Sequence, residues 1–492
     1  MLKTVLASVI SIMLIMTPAA GFAAGELDTE AIDTYIEREM RISRIPGLAL
    51  GIVRDGEIIY LKGYGRAERG DPVTAQTPFI IGSLSKSFTA VAAMQLVEEG
   101  KLDLDAPVTQ YLPWFTMADD YDAGRITVRH LLVQTSGIDT MAGVTVLAQD
   151  GALSLEQEVR ALGTEPLVHP PGEAYIYSNS NYLILGLIIE TIIEEGYSAH
   201  VQDNILQPLE MENSFLTRVD AEKEGMATGH VRWLGFSLPS EVQHLHNALA
   251  AGFIISSAED MGRYLLMHIQ DGNYEGKELL SQAGAEALRK PGEVKDGTSE
   301  YAMGLVARNI NSSSLILHDG GAQGFNSGMA FSPEEGWGVV VLTNAGGLIE
   351  LPAMDITLGV AEFVRGNTPE PGSRAPLFIY ASLLILILAL LLMAGRSIVL
   401  LPQKWPAKLE TLKVKSFWAR LTGVVLPVGL ELLIPFFVFI FFPGGAGFPV
   451  WSLFALFHPD LVYGLFAFSI LMLVKAVWRI YLAFRILRAA KS

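Results

Sequence analysis

The sequence contains no cysteine. A disulfide scaffold, a thiol nucleophile and a cysteine-ligated metal or iron–sulfur site are therefore excluded, although a large core needs no disulfides. Basic residues are also few. There are 35 Lys and Arg against 52 Asp and Glu, and the net charge of −17 argues against nucleic acid as a main partner. Hydrophobic residues make up 50% of the 492 residues, which excludes a disordered chain.

The charges are unevenly distributed along the chain. Residues 373–492 contain 12 Lys and Arg but only 3 Asp and Glu, and residues 1–24 contain only Lys3. The segment 25–372 therefore carries a net charge of −27. An acidic block between two apolar, basic ends is typical of a translocated domain that is held at a membrane.

Residues 1–24 have the features of a secretory signal peptide. Lys3 precedes an apolar run from Val5 to Met16, Pro18 ends that run, and small residues follow at 21–24. This pattern predicts a signal peptide over 1–24, with an uncleaved anchor helix as the alternative. In either case the residues from about 25 onward lie outside the cytoplasm.

Three apolar runs near the C-terminus, 376–395, 421–442 and 461–478, are long enough to cross a bilayer as helices. Six Lys and Arg lie between the first two runs, four follow the third, and none lies between the second and third. The positive-inside rule then places the first loop and the C-terminus in the cytoplasm and residues 25–365 outside. Pro and Gly in the segment 366–375 indicate a linker.

Two features of this tail have more than one interpretation. The apolar segment 447–458 is too short to span, so we expect an interfacial or re-entrant piece. Glu431 falls within the second run, where a carboxylate is costly against lipid. Either it faces another helix or a polar ligand, or the span is misplaced.

The segment 25–365, which we call the outer domain, contains both strand and helix patterns. Strand patterns occur at 48–53, 58–60, 314–318, 328–332 and 337–343, and the first two flank an Asp-Gly turn. Helical patterns fill the middle at 85–99, 182–195 and 260–268. We predict an α+β fold in which the two ends of the domain form one antiparallel sheet around an inserted helical lobe. Active sites often lie in such a cleft.

The first motif that contains candidate catalytic side chains is Ser83-Leu84-Ser85-Lys86, at the start of a helix that ends at Gly100. The spacing of three residues places the Ser83 and Lys86 side chains on one face. A serine is a weak nucleophile unless a base takes its proton, and a lysine can do this when burial lowers its pKa. The structural alternative is an N-cap serine beside a surface lysine.

Two further motifs follow. Tyr177-Ser178-Asn179 lies before an apolar helix, where a phenol can relay protons and an amide can hold a carbonyl or the lysine. The alternative is a helix cap beside a packing tyrosine. His318-Asp319-Gly320-Gly321 ends a strand, and its glycines would let a substrate backbone pair along the strand edge. The alternative is a plain turn.

The ordered set of Ser-x-x-Lys, Tyr-x-Asn 94 residues later and His-x-Gly a further 141 residues on resembles the penicillin-recognising serine hydrolases. The most similar branch contains class C beta-lactamases, D-alanyl-D-alanine carboxypeptidases and D-amino-acid-specific peptidases and esterases. The phrase His-Leu-Leu-Val-Gln-Thr-Ser-Gly at 130–137 and Pro171-Gly172 support it. The resemblance covers about 28–365 and implies an antiparallel sheet flanked by helices, with an all-helical lobe.

The resemblance also implies roles. Ser83 would be the acylated nucleophile, Lys86 and Tyr177 would share the work of general base, and Asn179 would orient the substrate and the lysine. Which of Lys86 and Tyr177 holds the proton stays open.

In the third motif, His318 would replace the lysine that is usual in beta-lactamases. The backbone N–H groups of Ser83 and Gly321 would form the oxyanion hole beside Gly320. The reaction would be acyl transfer through an acyl-enzyme that water resolves, with no cofactor and no metal. His244 and His246 have no acidic or cysteine partner at ligand spacing.

The departures from the family pattern bear on substrate choice. His318 is mostly neutral at pH 7 unless its surroundings raise its pKa, and Asp319 stands where a hydroxyl residue is common. A carboxylate there would repel an acidic substrate terminus or pair with an amine. We therefore expect weak beta-lactamase activity and a preference for peptides, esters or amino-terminal D-residues.

Two functions follow as hypotheses. The first is a hydrolase in a bacterial cytoplasmic membrane, facing out, that acts on D-amino-acid-containing or cell-wall peptides, esters or beta-lactams. The second is an inactive or slow penicillin or peptidoglycan receptor that signals or scaffolds through its membrane tail. The expected partners are the small substrate and the lipid bilayer, with no nucleic acid and no identified protein partner.

Overall fold

The computed structural model describes residues 27–67, 70–142, 153–242, 246–295, 297–298, 300–310, 313–347, 352–370, 372, 374–441, 455 and 458–489. The predicted signal peptide, His244 and nearly all of the segment 447–458 lie outside these residues. The helices are α1 (Thr29–Ser43), α2 (Ser85–Glu98), α3 (Val108–Tyr111), α4 (Asp120–Ala123), α5 (Val128–Leu132), α6 (Leu155–Ala161), α7 (Asn179–Ile193), α8 (Tyr197–Val201), α9 (Arg218–Lys223), α10 (Ala258–Ile269), α11 (Gln282–Leu288), α12 (Pro352–Val364), α13 (Ala375–Lys413), α14 (Phe417–Phe436) and α15 (Pro459–Ala489). The strands are β1 (Gly47–Arg54), β2 (Glu57–Gly65), β3 (Phe79–Ile80), β4 (His230–Trp233), β5 (Phe236–Pro239), β6 (Ile255–Ser256), β7 (Asn273–Tyr274), β8 (Lys277–Glu278), β9 (Glu293–Val294), β10 (Gly297–Thr298), β11 (Val306–Ile310), β12 (Ser313–Ala322), β13 (Phe325–Ser332) and β14 (Trp337–Thr343).

A six-stranded antiparallel sheet joins the two ends of the domain that precedes the C-terminal helices, in the order β11-β12-β13-β14-β1-β2. β1 pairs with β14 from Leu48 opposite Thr343 to Arg54 opposite Trp337. The β1–β2 hairpin turns at Asp55 and Gly56, which both have positive φ, as a tight hairpin turn requires. The predicted α+β sheet and its five strands are confirmed.

Two hydrophobic cores cover the two faces of the sheet. The smaller one contains α1 and α12, and the larger one contains α10 and the helical lobe with α2 and α7. The side chain of Ser257 accepts a hydrogen bond from the Asp260 N–H and so caps α10. α2 is buried from Ser85 to Met94 on every side, because it runs between the lobe and the sheet. This burial puts its one lysine, Lys86, in the core.

The C-terminal region contains three helices that are long and apolar enough to cross a membrane, at 375–412, 417–439 and 459–485. α13 and α15 run parallel: Tyr380 on α13 contacts Asp460 on α15, and the Trp405 indole N–H donates to the Arg479 carbonyl 3.0 Å away. α14 runs antiparallel to α15, since its Glu431 pairs with Arg479 and Phe439, just after its end, packs on Phe466.

The segment 396–420, between the first two predicted spans, is mostly helical. α13 continues through it as far as Lys413, with Pro402 and Pro406 inside the helix, and α15 likewise continues beyond 478 to Ala489. Hydropathy marks where apolar composition ends, whereas Lys, Gln, Glu and Leu after that point are good helix formers. Glu431 faces another helix, which was one of its open interpretations.

The outer domain and these helices are in contact. Asp460 accepts a hydrogen bond of 2.7 Å from the Leu234 N–H, and Tyr380 accepts one of 2.8 Å from the Gly235 N–H. Both amides lie in the turn between β4 and β5. Arg374 forms two hydrogen bonds of 2.7 and 2.9 Å with the buried carboxylate of Glu39 on α1. The domain therefore rests on the ends of α13 and α15.

Candidate active site

Ser83 and Lys86 lie at the start of α2, at the edge of the sheet. The helical turn Gly82–Leu84 holds Ser83 half-exposed, and Lys86 follows in the first turn of α2. The Lys86 Nζ is 3.1 Å from the Ser83 Oγ. The predicted approach of the two side chains on one helix face is therefore present in the structure.

Lys86 is completely buried, and the protein supplies acceptors for its amine. The Nζ donates to the Asn179 Oδ1 at 2.8 Å and to the Ala251 carbonyl at 2.5 Å. Burial lowers the pKa of Lys86 to about 7, although the charge of Asp319 acts to raise it. A large fraction of the lysine is thus neutral near pH 7. Its two N–H groups then have acceptors, and its lone pair is available to Ser83.

Tyr177 contacts the same oxygen. Its hydroxyl donates to the Ser83 Oγ at 2.8 Å, and the Lys86 Nζ lies 5.0 Å from the centre of its ring. Burial raises the pKa of Tyr177, so the phenol keeps its proton at neutral pH. Asn179 is the first residue of α7, which explains why its side chain reaches back towards Lys86.

The loop that carries Tyr177 rests on the segment 130–137. The Gln134 side chain accepts hydrogen bonds from the Ser178 N–H at 2.9 Å and from the Asn181 side-chain amide at 2.5 Å. Ser136 donates to Asn181 at 2.6 Å, and Thr140 donates to the Tyr177 carbonyl at 2.6 Å. These positioning residues were not identified individually from the sequence, although Gln134 and Ser136 fall within a phrase that supports the resemblance.

His318 is buried on β12, and its ring packs 5.7 Å from that of Tyr301. Its Nδ1 is 2.6 Å from the Asp319 carbonyl, which can only accept, so the Nδ1 carries the proton and the Nε2 accepts from the Tyr301 hydroxyl at 3.2 Å. Burial lowers the pKa of His318. The imidazole is therefore neutral at pH 7 and does not supply the fixed cation of a third-motif lysine. The sequence did not single out Tyr301, whose ring also packs 6.0 Å from that of Tyr177.

Gly320 and Gly321 bring β12 directly against the residues before Ser83. A Cβ on Gly320 would lie 2.1 Å from the Ile81 carbonyl oxygen, and one on Gly82 would lie 2.6 Å from the Gly321 nitrogen. Gly82 also has a φ of +56°, which favours glycine. The backbones of β12 and of the Gly82–Leu84 turn thus approach more closely than side chains at these positions would allow.

Two polar side chains from β13 fix this contact. The Ser327 hydroxyl donates to the Ile81 carbonyl at 2.7 Å, and the Asn326 amide donates to the Gly320 carbonyl at 2.6 Å. The Asn326 Oδ1 in turn accepts from the Ala353 N–H at the start of α12. Sequence reasoning missed both residues, because Ser327 bonds to a residue 246 positions away and the role of Asn326 depends on the approach of β12 and α12.

The charge at the site comes from few groups. Burial lowers the pKa of Lys86 and raises that of Tyr177, and the charge of Asp319, beside His318, opposes the first shift and adds to the second. Among the described residues, no group of three or more His, Asp or Glu could hold a metal ion. The arrangement is therefore a serine between a buried amine and a phenol, with the Asp319 carboxylate nearby on β12.

Comparisons with known proteins identify the outer domain. The family model described as Beta-lactamase matches residues 32–360. Protein flp of Staphylococcus aureus (strain MW2) is 29% identical over 321 residues, which are 64% of this chain and 63% of that protein. Penicillin-binding protein 4 of Amycolatopsis lactamdurans is 31% identical over 259 residues, which are 50% of this chain and 65% of that protein. The chain thus spans less than two thirds of the length of these relatives.

Two solved structures resemble the fold. The octameric penicillin-binding protein homologue from Pyrococcus abyssi superposes with a TM-score of 0.63 at 29% identity, over 70% of this chain and 79% of that one. FmtA from Staphylococcus aureus superposes with a TM-score of 0.56 at 23% identity, over 70% and 89% of the two chains, and supports the fold alone.

Proposed function

The chain belongs to the beta-lactamase family, and from this premise we propose that it is a serine hydrolase that forms an acyl-enzyme on Ser83. We propose D-amino-acid-containing or cell-wall peptides, esters or beta-lactams as its substrates. The observation that carries the proposal is the placement of the Ser83 Oγ within 3.1 Å of a buried lysine amine and within 2.8 Å of a tyrosine hydroxyl. A domain that only binds a ligand does not need both a buried lysine amine and a tyrosine hydroxyl beside a serine.

Acylation would begin with neutral Lys86. As the Ser83 oxygen attacks the substrate carbonyl, its proton passes to the Lys86 amine and a C–O bond forms. The carbonyl oxygen becomes an oxyanion that accepts from the backbone N–H groups of Ser83 and Gly321. Collapse of this intermediate breaks the bond to the leaving group, which takes a proton from Lys86 by way of the Tyr177 hydroxyl.

Deacylation would use the same groups. Water attacks the acyl carbonyl and gives its proton to the Lys86 amine. The bond to the Ser83 oxygen then breaks, and Lys86 returns the proton to that oxygen, which restores the serine hydroxyl and the neutral amine. Asn179 holds the amine in place through both steps, because it accepts one N–H whether the lysine is neutral or charged. His318 positions Tyr301 against the ring of Tyr177 instead of providing charge.

The C-terminal helices would anchor the enzyme. Three helices of sufficient length and apolar composition support a multi-pass membrane protein. The distribution of Lys and Arg supports an orientation in which the hydrolase domain, 25–365, faces outward and the linker 366–375 leads into the bilayer. The contacts of Asp460 and Tyr380 with the β4–β5 turn would hold the domain against the outer membrane surface.

Covalent labelling tests this function. Purified protein is incubated with a reporter penicillin and, separately, with a fluorophosphonate, alongside Ser83→Ala. We expect labelling that depends on Ser83, followed by loss of the label as water resolves the acyl-enzyme. Stable penicillin labelling without turnover would instead indicate a receptor. Absence of labelling by both reagents in folded protein would contradict the hydrolase proposal.

The pH dependence of acylation is a first prediction. Only neutral Lys86 can accept the serine proton, and burial lowers the pKa of Lys86 to about 7. We therefore expect kcat/KM for a neutral ester to rise with pH, about tenfold per unit below the midpoint, and to level off above a midpoint of about 7. The measurement is a kcat/KM profile from pH 5 to 10. A rise that continues to pH 10 without levelling off would assign the base to Tyr177, whose pKa is raised by burial.

Asp319 is expected to disfavour substrates with a free carboxylate. We predict faster cleavage of a D-Ala-D-Ala peptide amide than of the same peptide with a free carboxyl end. We also predict that Asp319→Asn raises kcat/KM for the acid by about 5- to 10-fold, roughly the effect of one close charge in a partly solvated site. The same variant should move the pH midpoint downward, because the charge of Asp319 raises the pKa of Lys86.

The matched control for this experiment is Glu278→Gln. It removes an exposed carboxylate from the β7–β8 hairpin, whose following residue Leu279 contacts Gln95 near the opposite end of α2. This control should leave both the acid-to-amide ratio and the pH midpoint unchanged. A strong preference of the unmodified enzyme for the free carboxylate would defeat the prediction.

A further inference from the structure

A cavity of about 360 Å³ lies between α13 and α15 on the side away from the hydrolase domain. Besides Ser397 and apolar side chains it is lined by Trp405 and five basic residues, Arg396, Lys404, Lys408, Lys475 and Arg479. Those from α13 recur at intervals of four or eight residues and therefore share one helix face. They are exposed, whereas the side chains of Lys475 and Arg479 are only 15% and 13% exposed.

Three residues that line the cavity, Trp405, Lys475 and Arg479, are fixed by contacts with neighbouring helices. Trp405 is 2% exposed, its indole N–H donates to the Arg479 carbonyl, and the Arg479 guanidinium lies 4.4 Å from the centre of its ring. Glu431 from α14 accepts three hydrogen bonds of 3.1, 2.9 and 2.8 Å from Arg479 and forms an ion pair of 2.9 Å with Lys475. The two inner cations are thus fixed by a buried carboxylate.

The charges that line this cavity and their buried partner Glu431 do not balance. Glu431 offsets one of the five positive charges, so within the part of the chain that the structure describes four remain in excess around one cavity. Cations that are brought together in this way repel one another unless an anion joins them. The cluster therefore favours a ligand with more than one negative oxygen.

The depth of the cavity agrees with a membrane surface, given the proposed anchoring. Arg396 follows the start of α13 by 21 residues, and Lys475 and Arg479 follow the start of α15 by 16 and 20 residues. At 1.5 Å per residue these positions lie about 24–32 Å from the end that contacts the hydrolase domain. The hydrocarbon core of a bilayer is about 30 Å thick, so these three cations lie at the level of the inner headgroups. Lys404 and Lys408 come later on α13 and lie on the cytoplasmic side of that level.

We propose that this cavity binds a phosphate-bearing anion, and that the headgroup of an anionic phospholipid is its source. Basic cavities between membrane helices on the cytoplasmic side are suited to such headgroups. Arginine and lysine match phosphate oxygens through charge-assisted hydrogen bonds. Met393 and Leu400 line the same cavity and offer an apolar surface to the start of an acyl chain, which a free phosphate does not need.

The test uses the full-length protein in detergent. Dissociation constants for dioctanoyl phosphatidylglycerol, dioctanoyl phosphatidylcholine and inorganic pyrophosphate are measured by native mass spectrometry. We expect the anionic lipid to bind more tightly than the zwitterionic one. Lys404→Gln together with Lys408→Gln should weaken phosphatidylglycerol binding about 30-fold, since each basic residue near anionic lipid contributes a factor of about five.

A second double variant separates this site from general attraction to basic helices. Lys415→Gln together with Arg485→Gln removes two exposed charges from the same helical region but outside the cavity. It should change the dissociation constant by less than about threefold. Equal weakening by both double variants, or equal binding of the two lipids, would overturn the proposal. Pyrophosphate bound as tightly as phosphatidylglycerol, and lost in the first variant only, would support the phosphate site and identify a soluble source.

The result is independent of the proposed catalytic chemistry. Ser83→Ala should bind phosphatidylglycerol with unchanged affinity although it cannot be labelled by a fluorophosphonate. Failure of labelling in unmodified protein would count against the hydrolase, and failure of lipid discrimination would count against the cavity.

Discussion

Lys86→Met is expected to lower kcat/KM for acylation of a reporter ester by about 10⁴-fold or more, in the range found when a nucleophile loses its base. The substitution keeps the length and burial of the side chain but removes the amine 3.1 Å from the Ser83 Oγ. The Tyr177 hydroxyl remains, but burial raises its pKa and so makes it a poor proton acceptor at pH 7. The measurement is the second-order rate constant of fluorophosphonate labelling, together with ester turnover.

The control is Lys101→Met, which removes an exposed lysine just beyond the other end of α2 and should leave the rate unchanged. Thermal unfolding separates loss of chemistry from loss of fold. Lys86→Met leaves the Asn179 and Ala251 oxygens without their donor but also removes a fully buried amine, so the change in Tm should be small. A variant that keeps a tenth of the rate would show that Tyr177 is the base.

Local spacing was enough to predict the geometry of Ser83 and Lys86. A separation of three residues on a helix fixes two side chains on one face, whatever the rest of the fold. The β1–β2 hairpin was equally predictable, since Asp55-Gly56 specifies the turn. The approach of Tyr177 and Asn179 to this pair was implied only by the family resemblance, because no rule of local structure brings together residues more than 90 positions apart.

What the sequence did not predict depends on tertiary contacts. Ser327 matters because its hydroxyl meets the Ile81 carbonyl 246 residues away, and Tyr301 matters because its hydroxyl meets His318. The length of α13 and the partners of Glu431 also depend on tertiary contacts. Composition located the apolar runs, but helix ends and buried ion pairs are decided by neighbouring helices.

Gly320→Ala is expected to lower kcat for ester turnover by about 10²- to 10³-fold, the effect of losing one donor of an oxyanion hole. A methyl group there would lie 2.1 Å from the Ile81 carbonyl oxygen and 2.2 Å from the Ser327 Oγ. To accommodate it, β12 must move away from the turn that carries Ser83, and the Gly321 N–H moves with it. The measurements are kcat and KM for an ester, with Tm recorded in parallel.

Overpacking also costs stability, about 1–3 kcal/mol, and lowers Tm by several degrees. Two variants therefore isolate the catalytic effect. Gly196→Ala adds a methyl group where nothing lies within 4 Å, and it should leave kcat unchanged. Ser327→Ala adds no volume but removes the hydrogen bond to Ile81, so it should lower kcat by about tenfold or less with KM little changed.

Ordering of these three variants by kcat distinguishes an oxyanion hole at Gly321 from a merely structural glycine. If β12 supplies the donor, kcat falls with displacement of the strand, in the order Gly196→Ala, Ser327→Ala, Gly320→Ala. Ground-state binding should change less, since the oxyanion exists only during reaction. A Gly320→Ala protein with lowered Tm but full kcat would show that Gly321 contributes no donor to the oxyanion.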